Sequence, residues 1–222
     1  MRKLLNIIFL ATALFALAAC QTDSYDSGDN TYSYLRADFG MLQVNGSRQG
    51  TAFTTDDGVK LTFPAPVTLS WVTTADTVYR ALAYYDTQTE RPFTISPVFV
   101  VNAYDTREPR SARADSIAAL RDPLTVESAW RAGGFLNIGF AVKTGRTDSL
   151  AQAQHIGLCV DSVKQDATGQ RHFFIHVLHS QNNQPEYYSV HTYMSLPLPD
   201  SLRNAAFHLS ATTYSGLWRQ TY

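Results

Sequence analysis

Only two cysteines occur in the 222 residues of this chain, so at most one intrachain disulfide can form and the fold must rest on its core. Cations are not in surplus either: 18 Lys and Arg stand against 19 Asp and Glu, a formal net charge of −1. With no basic block, the chain lacks the electrostatic footprint of a nucleic-acid binder. The longest apolar run, 4–17, falls short of the ~20 residues that cross a bilayer as a helix. No sequence repeat recurs at a fixed period. There is no G-x-S-x-G elbow for a serine hydrolase, and Gly133-Gly134 is followed by neither Lys-Ser/Thr nor a helical pattern, which excludes a phosphate loop.

What is present is first of all an address. Arg2 and Lys3 precede the apolar run, which Asn6 and Thr12 alone interrupt, and Leu17-Ala18-Ala19 closes it with small residues. Charge, apolar stretch and small residues in that order make residues 1–19 a secretory signal peptide. Cys20 follows at once. The LAAC stretch, Leu17 to Cys20, resembles a bacterial lipobox. That resemblance implies cleavage before Cys20 and a diacylglycerol thioether on its sulfur. Acyl chains contribute roughly 0.8 kcal/mol per buried CH₂, and two or more chains hold a protein stably on a membrane. With Cys20 acylated, no second thiol remains to bridge Cys159. Residues 20–30 carry Asp23, Asp26 and Asp29 and no cation, so they read as a lipidated acidic tether. Acidic residues after a lipidated cysteine resemble the surface-export signal of Bacteroides-type lipoproteins. The expected location is the cell envelope, as an outer-membrane lipoprotein held by Cys20, with the surface as one possible face.

Beyond the tether the pattern is strand-like, with turn residues every 8–12 positions, the signature of an all-β sandwich or barrel. Expected strands in the first part are 32–44 with a bend at Gly40, 51–55, 59–63, 78–85 and 97–104. Asp56-Asp57-Gly58 is a hairpin turn, and Pro64 and Pro66 end that unit. Five strands suit a small OB-like barrel over 31–105. Residues 106–123 break the pattern with charges, prolines and a helix-compatible turn at 114–120. The second part, 124–222, offers about seven strands for an antiparallel β-sandwich. Its inward faces read as Val126, Ser128 and Trp130; Leu136, Ile138, Phe140 and Val142; Ile156, Leu158 and Val160; and Phe173, Ile175 and Val177. Gly133-Gly134 is the tight turn between the first two.

Several segments taken together resemble the NigD-like lipoproteins of Bacteroidetes: the lipobox, Thr54 with Asp57-Gly58 and Leu61, the VNAYD segment 101–105, and above all DPLTVESAWRAGGFLNIGF at 122–140. In that last run Asp122, Pro123, Val126, Trp130, Gly133, Gly134 and Asn137 carry the likeness. The resemblance implies an N-terminal OB-like domain and a C-terminal β-sandwich. It implies no catalytic residue and no cofactor.

The residues themselves give little catalytic signal. His172 and His176, four apart on one strand, are ~13 Å from each other at ~3.3 Å per residue and cannot share one zinc from a regular strand. His191 on the next strand could approach His176, but two histidines make a poor site, and all three read as solvent-facing. Asp56-Asp57 is the only adjacent acid pair and reads as turn chemistry. Ser215 lies in a turn. Cys159 alternates with His155, Gly157 and Asp161 along one strand and reads as a plain thiol. Tyrosine is the surplus, at Tyr84, Tyr85, Tyr187, Tyr188, Tyr193, Tyr214 and Tyr222, joined by Trp218; buried hydroxyls need partners, so some of these belong on the surface. The expected function is a non-enzymatic binding or interaction module with a protein, glycan or bacteriocin-related partner. The alternatives are an enzyme acting on envelope polysaccharide and a structural subunit of a surface assembly. No metal, cofactor or nucleic acid is expected.

Overall fold

Short runs of β-branched and aromatic residues between turn formers produce strands almost throughout. The computed structural model describes residues 34–105, 120–145 and 153–222, and the only helical element among them is one 3-10 turn, Asp200–Leu202. Signal peptide, tether and most of the linker, with its expected turn at 114–120, lie outside the described residues.

The first sheet holds β1 (Leu35–Val44), β2 (Gln49–Thr55), β3 (Lys60–Thr68), β4 (Val78–Asp86) and β5 (Pro92–Pro97) in the order β3-β2-β1-β4-β5. It is a half-barrel with β3 and β5 as its edges, around a core that includes Leu42, Phe53, Phe63, Ala81 and Ile95. Gly40 does not bend β1, which runs unbroken. A Cβ there would overlap the Thr54 carbonyl oxygen and come 2.7 Å from the Phe53 ring, so the glycine permits close approach of β2. Pro64 and Pro66 do not end β3 either, because an edge strand tolerates residues without an N–H. Side chains finish both edges: the Glu90 carboxylate accepts the Thr62 N–H at 2.9 Å, and Trp71 Nε1 donates to the Ile95 carbonyl at 3.1 Å.

The remaining strands form two sheets. They are β6 (Phe99–Val100), β7 (Tyr104–Asp105), β8 (Thr125–Ala132), β9 (Phe135–Thr144), β10 (His155–Gln165), β11 (Arg171–Ser180), β12 (Tyr188–Pro197), β13 (Ala206–Thr213) and β14 (Gly216–Thr221). Their orders are β6-β12-β9-β8 and β14-β13-β11-β10-β7. Most ladders are antiparallel; β6–β12, β7–β10 and β11–β13 run parallel. The expected strand over 97–104 is therefore divided: β5 closes at Pro97, and the next residues supply one short strand to each of these sheets. Between the sheets lie Leu136, Ile138, Phe140, Leu158, Ile175 and Val177, as the alternation anticipates.

One face departs from simple alternation. Val126, Ser128 and Trp130 do not share a side, because the register of β8 on β9 shifts between Val126 and Ser128. Glu127 is the inserted residue, and one extra residue inverts the parity of everything after it. Val126 and Ala129 pack on the core while Trp130 turns outward, edge-on to Phe39 of β1 at 5.0 Å between ring centroids. Gly133 and Gly134 form the expected hairpin turn, at φ 58° and 78°, which the mirror-image turn requires.

Candidate functional site

Arg36–Tyr222 form one unit, and its most concentrated polar chemistry surrounds Arg80. β4 places this arginine in the interior, 3% exposed. Its guanidinium grips Asp56 with both terminal nitrogens, one contact being 2.7 Å from Nη2 to Oδ2. Nη2 also donates to Asn137 Oδ1 at 3.1 Å, and Nε donates to Ser195 Oγ at 3.3 Å. Ser195 Oγ in turn donates to Asn137 Oδ1 at 2.7 Å. The Phe135 ring covers the cation at 4.4 Å. A charge this deep is tolerated only when paired and hydrogen-bonded, and a planar fork is the cation best suited to it.

The cluster draws on both parts of the fold. Arg80 and Asp56 come from the first sheet and its β2–β3 turn, and Asn137 and Ser195 from β9 and β12. Asp56 thus does more than shape a turn; it is the counter-ion of a buried cation. Gly133 belongs here as well, since a Cβ on it would overlap the Asp56 carboxylate. The motif that carries the family resemblance is accordingly architectural. Gly133 clears Asp56, Phe135 covers Arg80 and Asn137 accepts from it. Upstream in the same motif, His179 Nδ1 meets the carbonyls of Asp122 and Pro123 at 3.2 and 3.0 Å. A cleft of about 380 Å³ opens beside the cluster, lined by Asp56, Arg131, Phe135, Leu198 and Arg203 among others. Arg131 is tied to the carbonyls of Ala205 and Arg203, so the cleft wall is held in place.

The histidines are not uniformly solvent-facing. His191 is exposed but lies in the other sheet from His176, and its Nδ1 contacts Glu127 Oε1 at 2.6 Å. His172 stacks on His208, and a chain of hydrogen bonds runs from Thr221 through His208 and His172 to Asp166. His176 is buried opposite Cys159, which is itself fully buried and forms no disulfide among the described residues. His176 Nδ1 lies 2.9 Å from Ser210 Oγ, and His176 Nε2 is buried with no hydrogen-bond partner. Among the described residues no three His, Cys, Asp or Glu side chains stand close enough to hold a metal ion.

Burial pushes the His176 imidazole down to about 4, and His179 also falls below the usual range by burial. Because the unfolded chain takes up this proton near pH 6.5 and the folded chain does not, stability is full above pH 6.5 and declines towards pH 4. For His176 alone the expected loss between pH 7 and pH 5 is about 2 kcal/mol. Urea unfolding at the two pH values checks this, and His176→Gln is expected to reduce the difference by that amount.

The tyrosines divide. Tyr85 is buried and donates to Asp38 at 2.6 Å, and Tyr193 packs edge-on against Phe39. Tyr84, Tyr187, Tyr188 and Tyr214 are exposed, Tyr187 most of all at 81%. Lys143 Nζ sits 4.3 Å above the Tyr214 ring and pairs with Glu186, giving one end of the sandwich an aromatic, mixed-charge surface. Leu17, Ala18, Ala19 and Cys20 lie outside the described residues.

No family model matches the sequence, and no curated protein matches it. The fold, however, has close counterparts among solved structures. A NigD-like immunity protein from Bacteroides caccae superposes with a TM-score of 0.62 at 17% identity, covering 83% of this chain and 91% of that one. A protein from Parabacteroides distasonis gives 0.59 at 19% identity over 85% and 93%. A protein of unknown function from Bacteroides vulgatus gives 0.55 at 15% identity over 84% and 89%. The chain therefore has the fold of a NigD-like protein, as its motifs suggested, and none of these neighbours bears an enzyme's name.

Proposed function

We propose that this chain is a lipid-anchored outer-membrane protein that acts by binding a protein partner and not by catalysis. The observation that carries the anchor is Cys20 set directly after Leu17-Ala18-Ala19, followed by an acidic tether. Binding is favoured over turnover by how the buried polar groups are used: Arg80, Asp56, Ser195 and the Asn137 carbonyl bond one another inside the protein, and the cluster's one buried atom without a hydrogen-bond partner, Asn137 Nδ2, is an amide nitrogen with no nucleophilic or acid–base character. The Bacteroides caccae neighbour is described as an immunity protein, and immunity is a task of recognition. A glycan is the second reading, favoured by Tyr187 standing exposed beside Glu186 and Lys143; exposed aromatics serve either kind of partner.

The anchor has a direct test. Cells fed labelled palmitate are expected to label the wild-type chain, which sediments with the outer membrane. Cys20→Ser is expected to lose the label and the membrane association together. Retention of both by the variant would overturn the anchor. Screening purified Cys20→Ser protein against a glycan array separates the two partner classes.

A further inference from the structure

The outer edge of β12 is open, and it is self-complementary. β6 pairs with β12 only at Met194 and Ser195, so Tyr188–Tyr193 have no strand beside them on that side among the described residues. The Val101 N–H donates to the Ser195 carbonyl, which points the backbone of Ser195 toward β6. Alternation along the strand then points the N–H and C=O groups of His191 and Ser189 to the same open side, and those of Val190 and Thr192 to β9.

Three other edges are blunted in ways this one is not. β3 carries two prolines and the Glu90 cap, β5 has proline at both ends and the Trp71 cap, and β8 is bulged at Glu127. β14 is regular, but of its exposed large apolar side chains only Leu217 lies on the strand. Beside the free stretch of β12, by contrast, Tyr188 is 54% exposed, Val190 43% and Phe99 59%. Tyr188 and Val190 share the core-facing parity of Met194, so they are inward residues left uncovered. A cavity of about 240 Å³ opens there, lined by Phe99, Phe140, Ile156 and Met194 among others.

We propose that a second copy of this chain pairs with the edge, β12 against β12, antiparallel about a two-fold axis through Val190. In that register Val190 faces Val190 of the other copy, Ser189 faces His191, and Tyr188 faces Thr192. Ser189 and His191 of each copy exchange N–H···O=C bonds, using the backbone groups the alternation leaves outward. No two like charges meet. The length fits, because the pairing ends at Thr192 and β6 begins opposite Met194. Tyr188 of one copy then lies inward beside Thr192 of the other, whose neighbour across β9 is Phe140, a wall of the cavity. Each copy supplies the aromatic side chain that closes the other's pocket. This inference goes beyond the proposed function and does not depend on it.

The test is a disulfide across the axis. A non-hydrogen-bonded antiparallel pair holds its Cα atoms about 4.5 Å apart, within the range a disulfide accepts. Full-length Val190→Cys in envelope preparations is expected to run mostly at twice the monomer mass without reductant and to return to monomer with it. Leu217→Cys, on the β14 edge, is expected to stay monomeric. Adding Ser189→Pro to Val190→Cys removes an outward N–H without breaking the β12–β9 ladder, and it is expected to abolish the dimer band. A Val190→Cys chain that remains monomeric, or links to a protein of different mass, overturns the pairing; so does a dimer that survives Ser189→Pro.

Discussion

Asp56→Ala is expected to destabilise the protein by about 3–5 kcal/mol, the range for stranding one member of a buried ion pair. The Arg80 side chain has no solvent exposure, and Asp56 is its only anionic partner among the described contacts. Asn137 and Ser195 would still accept from it, but neither neutralises its charge. For a domain of this size such a loss lowers the melting temperature by roughly 10 °C. Removing the cation instead has a different consequence. Arg80→Met leaves an apolar chain of similar length against Phe135, and Asp56, at the cleft, can hydrate. Arg80→Met/Asp56→Ala is therefore expected to be more stable than Asp56→Ala alone. Denaturant unfolding of the three variants measures this. An Asp56→Ala protein within about 1 kcal/mol of wild type, far below the buried-pair range, would mean that water reaches Arg80 as the protein breathes.

Gly133→Ala is expected to cost about 2–4 kcal/mol, from two separable sources. The left-handed conformation at φ 58° costs an alanine roughly 1–2 kcal/mol. The remainder comes from the new Cβ, which would overlap the Asp56 carboxylate and push it off Arg80. Gly134→Ala provides the control. Its φ is 78°, but a Cβ there meets nothing within 4 Å, so only the conformational part is expected. In the Asp56→Ala background the steric part should vanish, and a double-mutant cycle isolates it. If Gly133 and Gly134 respond alike, the turn does not lean on Asp56.

These two experiments touch residues whose role could not be read along the chain. The glycines are legible as a hairpin, because two adjacent glycines supply the consecutive positive φ angles that a two-residue turn demands. Asp57 and Gly58 are legible as turn chemistry on similar grounds. That Asp56 serves Arg80 is not, since the partners are 24 residues apart in sequence and belong to different elements. Arg80 sits amid the apolar run Val78–Tyr85, and a charge there gives no sign of whether it snorkels or is swallowed. Trp130 lies on the opposite face from the one period-two counting gives, because a bulge has no reliable local signature; Glu127 looks like any polar residue of an alternating strand. For His176, parity correctly gives the face away from the sandwich core. It does not say that this face is covered.

By itself the sequence determined the all-β class, in the period-two alternation of its apolar residues, and it alone carries the proposed address, in the short stretch ending at Cys20. Both are local properties: a strand is read from neighbours two positions away, and a signal peptide from length and small residues. Tertiary structure decided what holds the sheets together and which edges remain open. Those depend on distances between residues far apart in the chain, such as Arg80 to Asn137, and on which strands stand beside each other. Local patterning constrains neither of them.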